Sequence, residues 1–207
     1  DVGTYELGNS SEGTLILGDG TGLAANYTLS GGSQTYTITR RVLNSSGSKI
    51  YDANTDAIAA NITLSNLASS ETLNHSGTAS IGSANAGSYT ITNLSGVSIA
   101  DGSNGGLASN YTLTGGTHNF TVNQRAISLS GTRLYDATTN AAASDLSTMA
   151  NLVGSETLTL SGTGSIASAN VSSNKTVTTG TLALADGSNG GLAANYTLSG
   201  GTQQLTV

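Results

Sequence analysis

The sequence predicts an all-β protein made of tandem small modules. Each module is expected to be a β-sandwich or a β-grasp-like sheet with at most one short helix, and the modules to form an elongated array. Three observations predict this class. Short motifs recur in one order at a spacing of about 84 residues, apolar residues alternate with polar ones in short runs, and Gly-rich turns separate those runs.

The repeat is carried by three short motifs that return in the same order. They begin at Asn26, Asn110 and Asn195 (Asn-Tyr-Thr-Leu), at Tyr51 and Tyr135 (Tyr-Asp-Ala), and at Ser70 and Ser155 (Ser-Glu-Thr-Leu). Every spacing is 84 or 85 residues, so one residue is inserted between Ala137 and Ser155. Landmarks in one order at one spacing indicate duplicated modules rather than biased composition.

The repeat divides the 207 residues into one partial module and two complete ones. The segment from Asp1 to Tyr5 aligns with that from Asn85 to Tyr89, so residues 1–39 correspond to the C-terminal half of a truncated module. Residues 40–123 and 124–207 are the complete copies. Since no Pro-rich or Gly/Ser-rich linker separates them, we expect neighbouring modules to abut stiffly.

Period-2 alternation predicts strands of about five residues, because alternate side chains of a strand share one face. Tyr111 and Leu113 flank a Thr, and so do Phe120 and Val122. Helix is expected only as one short turn within Ala143–Leu152, where Ser144 or Asp145 would cap it. A matching turn is expected near Ser65–Ser70.

Composition excludes several classes of function. Charged residues make up 9% of the chain, against roughly 25% in typical soluble domains. The net charge is −6, with six Lys and Arg in all, which predicts no nucleic-acid binding and no attraction to anionic lipid. No apolar run approaches the length of a membrane span, so no membrane insertion is expected. Cys is absent, which fits the cytosol and also a bacterial surface protein that crosses the periplasm unfolded.

The repeated Tyr and Asp residues are the candidate site. In the Tyr-Asp-Ala motif the Asp is expected to accept a backbone N–H two residues on, as in a structural turn, while the Tyr covers a small core. The alternative is a ligand contact in which the Tyr stacks and the Asp accepts hydrogen bonds. The candidate residues are Tyr51, Asp52, Tyr135, Asp136, Tyr111 and Tyr196.

The Asp-Gly-Ser-Asn-Gly-Gly loops could suggest calcium, with Asp101, Asn104, Asp186 and Asn189 as the candidate ligands. A calcium loop of the EF-hand type needs a bidentate Glu at its twelfth position, where this chain has Thr112. A hairpin loop with positive φ at Asn and Gly explains the same residues. We therefore expect no cofactor, with calcium as the alternative.

No residue pattern points to catalysis, so no enzyme is predicted. His75 and His118 are the only imidazoles, and Leu160 and Gln203 replace them one period later. No nucleophile elbow, phosphate loop or metal-ligand cluster is present in the sequence.

Two charged positions of the repeat also allow a structural interpretation. Glu71 and Glu156 lie at equivalent places and are expected to be turn acceptors or solvated groups. Lys49 invites a Lys–Asn isopeptide crosslink, but Arg133, its counterpart, cannot form one.

The ordered motifs resemble the YDG and MBG modules of large secreted bacterial proteins of the filamentous-haemagglutinin type. The resemblance covers essentially the whole chain. In the second copy it is carried by Tyr135-Asp136-Ala137, Glu156-Thr-Leu158, Asn170-Val171 and Asn195-Tyr196-Thr-Leu198. In the first copy it is carried by Tyr51-Asp52-Ala53, Glu71-Thr-Leu73, Asn85-Ala-Gly87 and Asn110-Tyr111-Thr-Leu113.

Three departures from the family pattern matter. The Asp-Gly-Ser-Asn-Gly-Gly loop is longer than the family's usual connection to Asn-Tyr. Ala53 and Ala137 stand where the family usually has Gly, which predicts a turn that does not require a positive φ. Ser172 stands where the Gly of Asn-Val-Gly is expected, so the form of that turn stays open in the last copy.

The resemblance implies a secreted adhesin of the bacterial cell surface or biofilm matrix, exported by two-partner secretion. It implies no catalytic residues and no ligand site. The predicted function is therefore a structural stalk that projects a binding region, with neighbouring modules as its partners. The alternative is a lectin-like module that binds extracellular polysaccharide, and a host or bacterial surface is a further partner in either case.

Overall fold

The structure is a computed structural model that describes residues 1–6, 16–27 and 35–207. The all-β prediction is confirmed, since in these residues the regular elements are strands and isolated 3₁₀ turns. Thr28 and Leu29, which complete the first Asn-Tyr-Thr-Leu motif, lie outside the described residues.

The described strands are short, mostly of two to seven residues, as turn-rich sequence predicts. They are β1 (Gly3–Glu6), β2 (Thr35–Ile38), β3 (Arg41–Val42), β4 (Asn44–Ile50), β5 (Asp56–Ile58), β6 (Ile62–Ser65), β7 (Leu73–Ile81), β8 (Gly87–Asn93), β9 (Val97–Asp101), β10 (Tyr111–Thr112), β11 (His118–Asn123), β12 (Arg125–Ala126), β13 (Ser128–Thr132), β14 (Asn140–Ala142), β15 (Thr148–Ala150), β16 (Leu158–Ser161), β17 (Thr163–Ile166), β18 (Lys175–Thr178), β19 (Ala183–Asp186), β20 (Tyr196–Thr197) and β21 (Gln203–Thr206). The 3₁₀ turns are Ala24–Asn26, Ala59–Asn61, Ala108–Asn110, Ala143–Asp145 and Ala193–Asn195.

The chain divides into two compact units. Unit 1 comprises Asp1–Asn44, Leu64–His75 and Ile99–Gly116. Unit 2 comprises Ser45–Thr63, Ser76–Ser98 and Thr117–Val207.

The two complete copies repeat one strand order. It is β5-β7-β8-β11-β4-β6 in the first copy and β14-β17-β18-β21-β13-β15 in the second. In each copy the second and the last strands are parallel neighbours: β4 runs beside β11, and β13 beside β21. A sandwich of purely antiparallel sheets lacks such a pair, so the mixed sheet favours the β-grasp-like alternative, with a 3₁₀ turn in place of a helix.

Unit 2 has a core made by strand alternation. Phe120 and Val122 on β11 are buried, and Thr121 between them is half-buried. Leu129 and Leu205 are buried on the adjacent parallel strands of the second copy. Each fully buried large apolar side chain contributes about 1.5–3 kcal/mol, which lets a chain so poor in aromatic residues hold a folded core.

Unit 1 includes two small ladders. β1 and β2 pair antiparallel from Gly3 opposite Ile38. β3 and β10 pair parallel, with Arg41 opposite Tyr111. Leu43 follows β3 and is fully buried.

The expected helix within Ala143–Leu152 is a single 3₁₀ turn, Ala143–Asp145, followed by strand β15. Asp145, rather than Ser144, holds its start: the carboxylate accepts the N–H of Ala142 at 3.1 Å. The 3₁₀ turn has a counterpart 84 residues earlier at Ala59–Asn61. The turn expected near Ser65–Ser70 lies at Ser69 and Ser70.

A glycine in β4 and its counterpart in β13 let the 3₁₀ turn of each copy approach the sheet. A Cβ on Gly131 would overlap the carbonyl oxygen of Asp145, and a Cβ on Gly47 would overlap that of Asn61. The turn therefore packs directly on bare backbone.

Gly131→Ala is expected to lower the free energy of unfolding by about 2 kcal/mol, because the added methyl displaces the Asp145 carbonyl as overpacking does. Chemical denaturation measures the loss. Gly82→Ala is the control, since a Cβ at Gly82 meets no atom within 4 Å. Equal effects of the two substitutions would contradict the close packing at Gly131.

Candidate functional site

Tyr51 is held at the end of β4 with its ring buried. Its N–H donates to the carbonyl of Asn123 at 2.9 Å, which continues the parallel ladder of β4 and β11. The ring is only 3% exposed and packs edge-on against Tyr196, with the ring centres 5.4 Å apart and the planes at 78°. Edge-to-face contact places the positive rim of one ring on the negative face of the other.

One carboxylate receives both tyrosine hydroxyls. Tyr51 donates to Oε1 of Glu156 at 2.7 Å, and Tyr196 donates to Oε2 at 2.5 Å. The N–H of Val153 donates to the Tyr196 hydroxyl oxygen at 3.0 Å. Hydrogen bonds to an ionised group are stronger than neutral ones. Glu156 therefore holds the buried rings of Tyr51 and Tyr196 against the turn in which it lies.

Arg125 fixes the backbone beside this pair. Its Nε and Nη2 donate to the carbonyl and side-chain oxygens of Asn151 at 2.7 and 2.8 Å. Its Nη1 donates to the carbonyl of Tyr51 at 3.3 Å. Asn151 has a φ of 74° and so turns both of its oxygens towards the guanidinium. We call Tyr51, Glu156, Tyr196, Arg125 and Asn195 the tyrosine junction.

Asn195 completes the tyrosine junction and is fully buried. Its side-chain oxygen accepts the N–H of Ala86 at 2.8 Å, and its amide donates to the side-chain oxygen of Asn85 at 3.0 Å. A buried amide needs such partners, because an unsatisfied polar group costs about 1–3 kcal/mol.

The tyrosine junction makes both hydroxyls hard to ionise. Burial, and then the negative charge of Glu156 that accepts each hydroxyl, raise the pKa of Tyr51 and of Tyr196 to about 12. Burial and the hydrogen bond to Glu71 likewise raise the pKa of Tyr111.

Alkaline pH is therefore expected to destabilise the fold. The folded protein keeps these tyrosines protonated, while the unfolded chain loses their protons near pH 10. Stability is complete below about pH 10 and falls as the pH rises towards about 12. Denaturation at stepped pH, with tyrosinate absorbance followed in parallel, measures this. The Tyr51→Phe, Tyr196→Phe double variant should lose most of the pH dependence, and an unchanged slope would contradict the assignment.

Unit 1 repeats most of this arrangement around Tyr111. Tyr111 donates to Glu71, and the N–H of Ala68 donates to the Tyr111 hydroxyl oxygen at 3.0 Å. Arg41 donates to the carbonyl and side-chain oxygens of Asn66 at 2.6 and 3.0 Å.

Asn110 in unit 1 makes the contacts that Asn195 makes in unit 2. Its oxygen accepts the N–H of Val2 at 3.0 Å, and its amide donates to the Asp1 carboxylate at 3.2 Å. The same bonds thus recur at residues 84 or 85 positions apart.

The Tyr-Asp-Ala turns are closed by a cation three residues earlier. Lys49 lies 2.9 Å from the Asp52 carboxylate and donates to the carbonyl and side-chain oxygens of Asn54 at 2.8 and 2.7 Å. Asp52 accepts the N–H of Asn54 at 3.1 Å. This is the local Asp turn expected from sequence. The nearly buried Lys49 ammonium adds an ion pair to it.

The second Tyr-Asp-Ala turn has the same bonds with Arg133 in place of Lys49. Arg133 pairs with Asp136 at 3.3 Å, and Asp136 accepts the N–H of Thr138 at 2.9 Å. These bonds lower the pKa of Asp136, the largest cause being the backbone N–H of Thr138. The ring of Tyr135, however, is 58% exposed. Two turns with the same bonds therefore present their tyrosines to opposite environments.

The prediction that these turns need no positive φ is wrong. Ala53 and Ala137 both have a φ of 62°, in the left-handed region. Two carboxylate bonds and a cation hold each turn, so the turn geometry is kept although a Cβ strains it.

Ala137→Gly is expected to raise the free energy of unfolding by about 0.5–1 kcal/mol, because it removes the strain of a Cβ at positive φ. Thermal or chemical denaturation measures the gain. Ala150→Gly is the matched control, at an exposed position of strand β15, and is expected to destabilise. A loss at residue 137 as large as that at residue 150 would contradict a strained turn.

The calcium candidates are engaged in bonds within the chain. Asp101 and Asp186 each accept the N–H that opens the following 3₁₀ turn, at 2.7 Å. Asn104 and Asn189 have φ values of 57° and 55° and donate to backbone carbonyls. These contacts are those of the hairpin loop expected from sequence, and calcium remains the alternative.

The histidine positions also have structural contacts. His118 is buried and its Nδ1 lies 2.9 Å from the Ser45 hydroxyl. Gln203, its counterpart, accepts the N–H of Leu129 at 2.8 Å and donates to Leu198 at 3.0 Å. His75 is half-buried on β7.

Sequence reasoning placed Tyr51, Tyr111 and Tyr196 in the candidate site but missed that Glu156 joins Tyr51 to Tyr196 and that Glu71 holds Tyr111. Glu156 was interpreted as a turn acceptor or a solvated group, and neither Arg125 nor Asn195 was given a role at this site. The signal was present, because Glu and Arg recur with the tyrosines at the same spacing of 84 or 85 residues.

Comparison with known proteins gives one family. The model described as "YDG domain" matches residues 35–119 and 117–204. Searches of curated proteins and of solved structures find no match. Within the described residues, no helix is both long enough and apolar enough to cross a membrane.

Proposed function

Since this chain belongs to the YDG domain family, we propose that it is a structural repeat segment, a stalk, of a secreted bacterial adhesin of the cell surface or biofilm matrix. The observation that carries the proposal is the tyrosine junction. Tyr51 belongs to the first family match, and Glu156 and Tyr196 belong to the second. Direct bonds between successive modules are what a load-bearing segment requires.

The use of the polar groups supports the same proposal. The repeated Tyr, Glu, Asn and Arg side chains bind one another and nearby backbone, and three of the four candidate tyrosines (Tyr51, Tyr111 and Tyr196, but not Tyr135) are buried. On a binding surface the donors and acceptors of such groups are free to contact a ligand. In a structural junction they are already hydrogen-bonded within the fold. We propose secretion through the two-partner route, with neighbouring modules as the first partners of the chain.

Small-angle scattering of the chain tests the stalk. We expect a distance distribution that does not change with salt, because the tyrosine junction is held by buried bonds that salt screens weakly. Glu156→Ala should loosen that distribution. A profile of freely moving modules for the unchanged chain would contradict the proposal.

One observation favours the lectin-like alternative. Tyr135 is an exposed ring beside the partly exposed Asp136 carboxylate, a pair that could stack on and bind a sugar of matrix polysaccharide. A glycan array with the chain and its Tyr135→Ala variant decides between the two. Saturable binding that Tyr135→Ala abolishes would replace the stalk with a carbohydrate-binding module.

A further inference from the structure

Lys49 is a charged residue on the buried face of its strand. Alternation along β4 buries Ser45 and Lys49 and leaves Ser46, Ser48 and Ile50 exposed. The Lys49 side chain is only 6% exposed. A lysine is almost never buried unless its charge is paired, so the groups around its Nζ decide what this residue can do.

Two side chains of the following turn meet the Lys49 amine. Its Nζ lies 2.9 Å from Oδ1 of Asp52 and donates to Oδ1 of Asn54 at 2.7 Å. Ala53, between these two residues, has a φ of 62°, which bends the chain so that both side chains reach the amine. The turn therefore holds an amine, a carboxylate and a carboxamide in direct contact.

The carboxamide of Asn54 is oriented by separate contacts to its oxygen and its nitrogen. Besides the Lys49 amine, Oδ1 accepts the backbone N–H of Asp56 at 2.9 Å. The Nδ2 group donates to Oδ2 of Asp52 at 3.0 Å. Asp52 thus bridges the amine of Lys49 and the amide nitrogen of Asn54, with one carboxylate oxygen on each.

We propose that Lys49 and Asn54 become joined by an isopeptide bond that the folded chain forms by itself. Asp52 takes a proton from Nζ, and the freed lone pair attacks Cγ of Asn54. The bond between Nζ and Cγ forms while the bond between Cγ and Nδ2 breaks. Nζ gives up two protons in all: Asp52 passes one to Nδ2, which leaves as ammonia, and the second leaves with that ammonia as ammonium. The Asp52 carboxylate is restored, and no oxidant, metal or co-reactant is consumed.

Each contact of this turn has a role in that step. Asp52 is the general base for Nζ and then the general acid for Nδ2, and it already touches both atoms. The N–H of Asp56 points at Oδ1, where negative charge develops when the amine adds, as the donors of an oxyanion hole do. Because the reacting groups are in contact before the reaction, it needs no encounter between separate molecules.

The second copy lacks the reacting groups at the same place. Arg133 and Thr138 stand at the positions of Lys49 and Asn54. A guanidinium stays protonated and is no nucleophile, and threonine has no carboxamide. Lys175, the other lysine of the chain, donates to the backbone carbonyl of Ser168. One crosslink is therefore expected, in the first copy.

The bond would fasten the end of β4 around Tyr51, which lies between the two joined residues. The inference goes beyond the stalk and does not depend on it, because the bond forms or fails to form whatever the parent protein does. Its failure would leave the scattering test of the stalk unaffected.

The mass of the purified chain tests the proposal directly. It should be lower than the sequence mass by one ammonia. Trypsin acting on the denatured chain should cleave at the arginines and not after Lys49, because an amide nitrogen carries no positive charge. Lys49→Arg and Asn54→Thr, which introduce the residues of the second copy, should each show the full mass of the variant. Asp52→Ala should abolish the loss of ammonia although Lys49 and Asn54 are both present.

A second reaction that releases ammonia has to be separated from this one. Asn104 and Asn189 each precede a glycine, and closure of such an asparagine to a succinimide also releases ammonia. A succinimide takes up water in mild base and forms in the Lys49→Arg variant as well. The isopeptide bond withstands mild base and requires Lys49.

Transfer of the three groups to the second copy tests whether they are sufficient. Asp136 already occupies the place of Asp52 and accepts the N–H of Thr138. The Arg133→Lys, Thr138→Asn double variant should lose a second ammonia. Circular dichroism of each variant identifies one that fails to fold, and the mass and tryptic pattern of the unchanged chain need no variant at all.

Five results would each overturn the proposal. They are an unreduced mass of the unchanged chain, tryptic cleavage after Lys49, loss of water in place of ammonia, a loss that persists in Lys49→Arg, and a full loss in Asp52→Ala. Loss of water would indicate a bond from Lys49 to the Asp52 carboxylate. A double variant that folds and keeps its full mass would contradict the assigned roles of the three groups.

Discussion

Tyr51→Ala is expected to lower the free energy of unfolding by about 4 kcal/mol, and Tyr135→Ala to change it by less than about 0.5 kcal/mol. Both residues open a Tyr-Asp-Ala turn with the same local bonds. Their rings differ: that of Tyr51 is 3% exposed and that of Tyr135 is 58% exposed.

The difference follows from what each substitution removes. At Tyr51 the change leaves a cavity against Tyr196 and takes one donor from Glu156, and aromatic truncations in a core cost about 3–5 kcal/mol. At Tyr135 the change removes an exposed ring. Equilibrium denaturation of the two variants beside the unchanged chain measures both values.

Tyr51→Phe separates the two contributions at this position. It keeps the edge-on ring contact and removes only the hydroxyl, so a loss of about 1.5–3 kcal/mol is expected. Equal losses for Tyr51→Ala and Tyr135→Ala would contradict the tyrosine junction as a source of stability.

Glu156→Ala is expected to lower the free energy of unfolding by about 3 kcal/mol. Two buried hydroxyls lose their acceptor together, and a hydrogen bond to a charged group contributes about 1.5–3 kcal/mol. The expected value lies below the sum of two such bonds because the hydroxyls can turn towards other acceptors.

Glu71→Ala is the natural comparison for this change. In the described residues Glu71 accepts one tyrosine hydroxyl, that of Tyr111, so about half the loss is expected. Denaturation with both variants measures the ratio. If Glu71→Ala lowered the free energy of unfolding as much as Glu156→Ala, a carboxylate that accepts two hydroxyls would contribute no more than one that accepts a single hydroxyl.

The repeat and the all-β class could be predicted from sequence because both depend on short stretches of the chain. Gly-rich turns and alternation fix short strands wherever they occur, and the spacing of Asn110 and Asn195 exposes the duplication. The turn at Asp52 was also predictable, because its bonds reach only two residues along the chain.

The tyrosine junction was not predictable in this way. Tyr51 and Tyr135 have nearly the same neighbours in sequence, and the carboxylate that accepts the Tyr51 hydroxyl, that of Glu156, lies 105 residues away. No propensity or period in one segment carries that information. The positive φ of Ala137 was missed for a related reason, since Arg133 and Asp136 together impose a conformation that alanine disfavours by itself.

The parallel pairing of β4 and β11 determines how a complete copy responds to a pulling force. β4 lies near the start of the first copy and β11 at its end, and the two strands run side by side over six residue pairs from Ser45 and His118 to Ile50 and Asn123. Tension applied at the start of β4 and the end of β11 pulls the two strands past each other. All the hydrogen bonds between them are then loaded at once, in shear, instead of opening one after another as a hairpin unzips.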